Sequence, residues 1–140
     1  MRGLLFLTMA IALAFGLAAA HAEDAPLEIQ GARTVNADGV IDLVQKTDQV
    51  VIVDNRTVAD YEAGHIEGAI NLIDTDIANE ATLARHVKSR DTPVLFYCNG
   101  VKCGRAAKAS ARAVEWGYTK VYYYALGLQE WRDRHLPLVR

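Results

Sequence analysis

The chain is poor in cysteine. Only Cys98 and Cys103 occur among 140 residues. Two cysteines cannot staple a small scaffold, and they fall short of the four ligands of a structural zinc site. The fold must therefore rest on a hydrophobic core. Positive charge is also scarce. The 15 Lys and Arg residues face 17 Asp and Glu, and no basic block occurs. Nucleic-acid binding has no electrostatic footprint here. No internal repeat, low-complexity tract or long linker appears.

Long apolar runs are missing too, except at the start. Met1 to Ala22 reads as one arginine, an apolar stretch from Leu4 to Ala20, and then Ala20-His21-Ala22. This is the pattern of a secretory signal with a small-x-small cleavage site. The stretch is short for a spanning helix. Cleavage after Ala22 is expected, giving an exported, periplasmic chain with no stable membrane association. The uncleaved alternative is a membrane anchor. Loss of Arg2 leaves 14 basic against 17 acidic residues, a net charge of −3. The remaining chain suits a single domain with one core.

Glu23 to Glu28 reads as a short tether. Beyond it, strand and helix signals alternate. Ile29–Arg33 suggests a first strand. Asn36 or Asp38 can cap a helix with Val40, Leu43 and Val44 on its apolar face. Val50–Val53 is a β-branched run ending on Asp54, as expected of a strand buried on both faces. Thr57–Ala63 reads as a helix stopped by Gly64, Ala69–Leu72 as a strand and Glu80–Lys88 as a helix. Pro93–Tyr97 is a second buried strand. Arg105–Trp116 is a helix with small residues at Ala106, Ala109 and Ala113. Val121–Tyr124 and Leu128–Arg134 complete the series. The pattern predicts an α/β sandwich whose mostly parallel sheet has about five strands. Ligands of such sheets bind beyond the carboxyl ends of the strands, where Asp54 and Cys98 both fall.

Cys98 stands out. It ends an apolar strand and opens Cys98-Asn99-Gly100-Val101-Lys102-Cys103-Gly104-Arg105, after which the chain turns helical. Loop amides and a helix N-terminus converging on a sulfur favour its anionic form. A thiolate is the nucleophilic form of cysteine. Gly100 and Gly104 ease close curvature, and Lys102 and Arg105 add cationic character. The plainer alternative is a small buried hydrophobe. Lys102 reads equally as a solvated loop residue, and Arg105 as an ordinary first-turn residue. His65 reads as structural, His86 and His135 carry no signal, and Trp131 reads as a core anchor.

Three separated stretches resemble rhodanese-like domains. They are Val53-Asp54-Asn55-Arg56 with Asp60 through Asn71, then Phe96-Tyr97-Cys98, and finally Gly117-Tyr118 through Val121 with Gly127, Trp131 and Leu136-Pro137. The resemblance covers roughly residues 29 to 140. It implies a single-domain, rhodanese-like three-layer sandwich. It also implies a sulfurtransferase that carries a sulfane sulfur as a Cys98 persulfide, in two-step covalent catalysis with no metal or cofactor. The donor would be thiosulfate or a persulfide. The acceptor would be a thiol, cyanide or a sulfur-accepting protein, and the protein would act as a monomer. Residues Asn99, Gly100, Val101, Lys102, Cys103, Gly104 and Arg105 would form the persulfide and substrate loop, with Asp54 and Arg56 supporting the sheet edge.

Two departures matter. The fifth position after the nucleophile holds Cys103 where the family usually has a polar residue. This raises a Cys98–Cys103 disulfide beside two other roles for Cys103, a structural lining and a sulfur acceptor. A redox-switch or sulfur-carrier binding module is the corresponding alternative function. Phosphatases and arsenate reductases that share the fold place arginine six positions after the cysteine. Here that position is Gly104 and the arginine comes one step later, which disfavours their chemistry. The second departure is Leu126-Gly127 in place of a double glycine before the last helix.

Overall fold

The computed structural model describes residues 23–140; the leader 1–22 and its cleavage site lie outside the described residues. Ten elements alternate: β1 (Arg33–Thr34), α1 (Ala37–Lys46), β2 (Val51–Asp54), α2 (Val58–Ala63), β3 (Ile70–Asn71), α3 (Glu80–Ala84), β4 (Val94–Tyr97), α4 (Arg105–Glu115), β5 (Val121–Tyr124) and α5 (Gly127–Asp133). The five strands lie in the order β1-β5-β4-β2-β3. Every pairing is parallel. The expected α/β sandwich is thus the observed one, with helices on both faces of the sheet.

Period-2 alternation divides the strand side chains between two cores. Val53, Val94, Phe96, Cys98 and Tyr123 join Leu83 and the small residues Ala106, Ala109 and Ala113 of α4 on one side. Ile52, Leu95, Tyr97 and Tyr124 meet Val40, Leu43, Leu128 and Trp131 on the other. β4 is buried along its whole length, which explains why it reads as a continuous apolar run. Cys98 continues that alternation toward α4.

Several boundaries move from their expected places. β1 starts at Arg33, because Gly31 takes a left-handed conformation and the Ala32 amide turns back to the Ile29 carbonyl (3.0 Å). α1 is capped by Asn36, whose side chain accepts from the Gly39 amide. Its buried face is Ala37, Val40 and Leu43, and Val44 is exposed instead of facing the core. α3 is one turn shorter than the expected Glu80–Lys88. The amides of His86 and Val87 both return to the Leu83 carbonyl, which closes the helix in a tight turn and still buries Val87.

The segment expected as a tether lies along the molecule. The Ala25 amide donates to the Val101 carbonyl (2.6 Å), and the Pro26 carbonyl accepts from the Tyr123 hydroxyl (2.8 Å). Asp24 pairs with Lys102. The start of the described chain therefore clasps the loop after β4.

Candidate active site

β2 and β4 are neighbours, with Asp54 in register with Tyr97. Their carboxyl ends therefore open side by side, one into Asn55-Arg56 and the other into Cys98. The two corners differ in construction.

The corner after β2 is sealed. Asp54, Asn55 and Arg56 are fully buried. Asp54 takes the Arg56 guanidinium in a bidentate pair, with Nη2 2.6 Å from Oδ2 and Nε 2.9 Å from Oδ1. It also accepts from the Tyr97 hydroxyl at 2.6 Å. Arg56 donates to the Gly64 carbonyl, and the Asn71 amide bridges the carbonyls of Asp54 and Arg56. Such further hydrogen bonds offset part of the cost of burying a charge pair, and Arg56 Nη1 stays without a protein partner. Burial alone would lower the Arg56 pKa, but the hydrogen bond and charge of Asp54 outweigh it and hold the guanidinium above its ordinary range. Burial foremost, then the Asp54 charge and hydrogen bond, push the Tyr97 hydroxyl far above the usual tyrosine range. Asp54 and Arg56 thus form a structural clamp beside the cysteine loop.

The corner after β4 is built from backbone. The carbonyls of Cys98 and Asn99 accept from the amides of Leu128 (2.9 Å) and Gln129 (2.8 Å) in the first turn of α5. The loop therefore meets donors that a helix start would otherwise leave unpaired. Gly127 sits in this contact with φ +56°, and a Cβ there would lie 2.4 Å from the Cys98 carbonyl oxygen. Leu126, which replaces the first glycine of the usual pair, has φ −70° and needs no glycine.

Cys98 and Cys103 are joined in a disulfide, with Cα atoms 6.1 Å apart. The Cys103 amide donates to the Gly100 carbonyl (3.0 Å), a turn that brings the second cysteine back to the first. Among the described residues, no other amide from Asn99 to Gly104 meets a protein acceptor. Gly104 is the N-cap of α4 and supplies no side-chain cap, so the first amides of the helix remain available for an anion. The two sulfurs have different surroundings. Cys98 is 2 % exposed and belongs to the core. Cys103 is only partly buried and lines an open cavity of 380 Å³ with Asn99, Lys102, Gly104, Arg105 and Lys108.

The cations are only partly free. Lys102, read as a candidate substrate ligand, is exposed and turned to Asp24. Arg105 lies 3.7 Å from an Asp74 carboxylate oxygen, and its Nη1 is 3.7 Å from Cys103 Sγ. Asn99 is exposed, with its amide 3.4 Å from Asp60. Val101 and Gly100 shape the turn. His65 is held by Nδ1 against the Tyr61 carbonyl (3.0 Å) and stacks on the Tyr61 ring. Trp131 is buried, and its indole N–H donates to the Pro137 carbonyl.

Sequence reasoning missed three contributors. Tyr97 was taken only as an apolar strand residue, although a tyrosine in register with a buried aspartate is a hydrogen-bonding signal. The first turn of α5 carries the loop carbonyls, and Asp24–Pro26 clasp it from outside. Neither of these leaves a local sequence trace. Among the described residues no cluster of His, Cys, Asp and Glu could hold a metal ion, and no helix is long and apolar enough to cross a membrane.

A parallel α/β sheet thus delivers a cysteine to an uncapped helix start. The rhodanese-like domain model matches residues 36–134, and the chain belongs to that family. It is 37% identical over 101 residues to the protein YibN of Escherichia coli K12, covering 70% of this chain and 66% of that protein. The chain thus spans just under two thirds of that relative. The crystal structure of the BH2092 protein from Bacillus halodurans superposes with a TM-score of 0.66 at 26% identity, covering 79% of this chain and 78% of that one. Thiosulfate sulfurtransferase from Pseudomonas aeruginosa shares the fold, with a TM-score of 0.67 at 18% identity over 79% of this chain and 21% of that one.

Proposed function

We propose that this protein is a sulfurtransferase that carries a sulfane sulfur on Cys98. The observation that supports it most is the position of Cys98, at the end of a buried strand and before an uncapped helix whose amides favour an anion. In the reduced protein the Cys98 thiolate attacks the outer sulfur of thiosulfate. The S–S bond of the donor breaks, sulfite leaves with its electron pair, and Cys98 becomes a persulfide. A thiophilic acceptor then takes the outer sulfur and restores the thiolate. The donor is thiosulfate or a persulfide, which approaches through the open cavity that Cys103, Lys102 and Arg105 line. The leader read in residues 1–22 supports action outside the cytoplasm, with the mature chain working as a soluble monomer.

The test is thiocyanate formation from thiosulfate and cyanide by the reduced protein, with phosphate release from a phenyl phosphate measured alongside. Thiocyanate from the wild type and none from a folded Cys98→Ser variant is the expected result. Phosphate release without thiocyanate would transfer the site to phosphatase chemistry. The disulfide favours one second reading, a redox-sensitive binding module. It predicts that the reduced protein takes up no sulfur from thiosulfate.

A further inference from the structure

Sulfur transfer through Cys98 needs a single thiol, yet the structure joins two. The bond itself demonstrates reach: Cys103 Sγ meets Cys98 Sγ with the backbone as it stands, aided by the turn from Gly100 to Cys103. In a persulfide, Cys98 Sγ is the inner sulfur. The Arg105 guanidinium lies beside Cys103 Sγ at 3.7 Å, and a neighbouring cation favours a thiolate. The second cysteine is therefore placed and activated to attack the inner sulfur.

We infer that Cys103 is a resolving thiol that expels the sulfur carried on Cys98 as hydrosulfide and closes the disulfide seen in the structure. The inference rests on the reading of Cys98 as a sulfur carrier. In the step, the Cys103 thiolate forms a bond to Cys98 Sγ, and the bond from Cys98 Sγ to the outer sulfur breaks. The outer sulfur leaves with the electron pair and takes the proton released from Cys103. The two cysteine sulfurs are oxidised to the disulfide and the sulfane sulfur is reduced to hydrosulfide, so charge and atoms balance.

The cycle then requires an external thiol or dithiol as reductant, and the structure sets the direction of its attack. Cys98 is 2 % exposed, whereas Cys103 faces the 380 Å³ cavity. The reductant's thiolate therefore attacks Cys103 Sγ. Cys98 leaves as the thiolate, which the uncapped start of α4 stabilises. A better-stabilised leaving thiolate departs faster. A second thiol completes the exchange at Cys103, and the reductant ends as its own disulfide. The product class is therefore sulfide, and the reaction that serves the protein is a thiol–disulfide reduction.

The experiment uses reduced, desalted protein with equimolar thiosulfate and no added thiol, and with glutathione persulfide in a parallel arm. Intact mass and released sulfide are measured. The wild type is expected to release about one equivalent of sulfide and to end about two mass units below its reduced form. Cys103→Ser and Cys103→Ala are expected to gain about 32 mass units and release no sulfide. A wild type that also keeps the added sulfur and releases none would overturn the inference while leaving the sulfur-carrier reading intact. Wild type and both variants that take up no sulfur from either donor would overturn the carrier reading and the inference with it. In a second arm, oxidised protein is opened with glutathione and alkylated. Glutathione on Cys103 with the alkyl group on Cys98 supports the direction of attack, and the reverse pattern overturns it.

Discussion

Two adjacent strands end in opposite ways. After β2 the chain ties Asp54, Arg56, Tyr97 and Asn71 into a buried hydrogen-bonded lattice, with Arg56 Nη1 and Asn55 Oδ1 left without a protein partner. After β4, one residue away across the sheet, it leaves amides without protein acceptors and a cysteine pair reaching the surface. One corner has strong charges and no access. The other has unpaired amides, cations around its cavity, and access. A reactive sulfur needs unpaired donors that can follow a change of charge, and such a loop has little internal bonding to hold its shape. The sealed corner supplies a rigid edge beside it.

The largest break in this comparison is Asp54→Asn. It leaves the Arg56 guanidinium buried without its counter-charge, and about 3–5 kcal/mol of stability is expected to be lost. Denaturant unfolding measures it. A loss under about 1 kcal/mol would mean that the sealed corner is not held by charge.

Gly127→Ala tests the open corner. The added Cβ would strike the Cys98 carbonyl oxygen, and the site demands positive φ. About 1–3 kcal/mol of destabilisation is expected. The displaced loop should also lower sulfur loading, as read by intact mass with Cys103→Ser in both proteins compared. Unchanged loading would show that α5 does not set the loop's shape.

Alkali separates the corners by titration. Burial raises the pKa of Tyr97, Tyr123 and Tyr124. Their neutral forms contribute stability that is fully present below the unfolded tyrosine value near pH 10 and is lost as pH rises toward the folded values. Each such tyrosine is expected to cost about 1.4 kcal/mol per pH unit across that window. Tyr97→Phe should flatten the slope of unfolding free energy against pH above about 10. An unchanged slope would place the titrating groups elsewhere.

Lys102→Ala should do least. Lys102 is exposed and occupied by Asp24. Surface changes of this type fall within about 0.5 kcal/mol, and the sulfur-loading rate should change by less than about fivefold. A larger fall in rate, relieved by raising thiosulfate, would return Lys102 to the role of substrate ligand.

Much of this was readable along the chain. Val51–Asp54 and Val94–Tyr97 declare buried parallel strands by continuous apolar content. Asn36, Thr57 and Gly64 mark helix ends as capping rules require. Cys98 was identified from its place between strand and helix. Less legible were Val44, whose apolar character did not bury it, and α3, where a turn replaced the last helical residues. Lys102 read equally as a solvated loop residue and as a substrate ligand, because the segment that pairs with it lies 78 positions away.

The order of strands and helices, the thiol at a strand end and the glycines that permit sharp turns follow from local patterns, because hydrophobic period and backbone freedom act over a few neighbouring residues. The pairing of Tyr97 with Asp54 across 43 positions, the seating of the Cys98 and Asn99 carbonyls on α5 and the clasp of Asp24–Pro26 needed the folded sheet. So did the difference in exposure between the two sulfurs. Burial and hydrogen-bond partners are properties of the packed whole, and no short stretch of chain carries them.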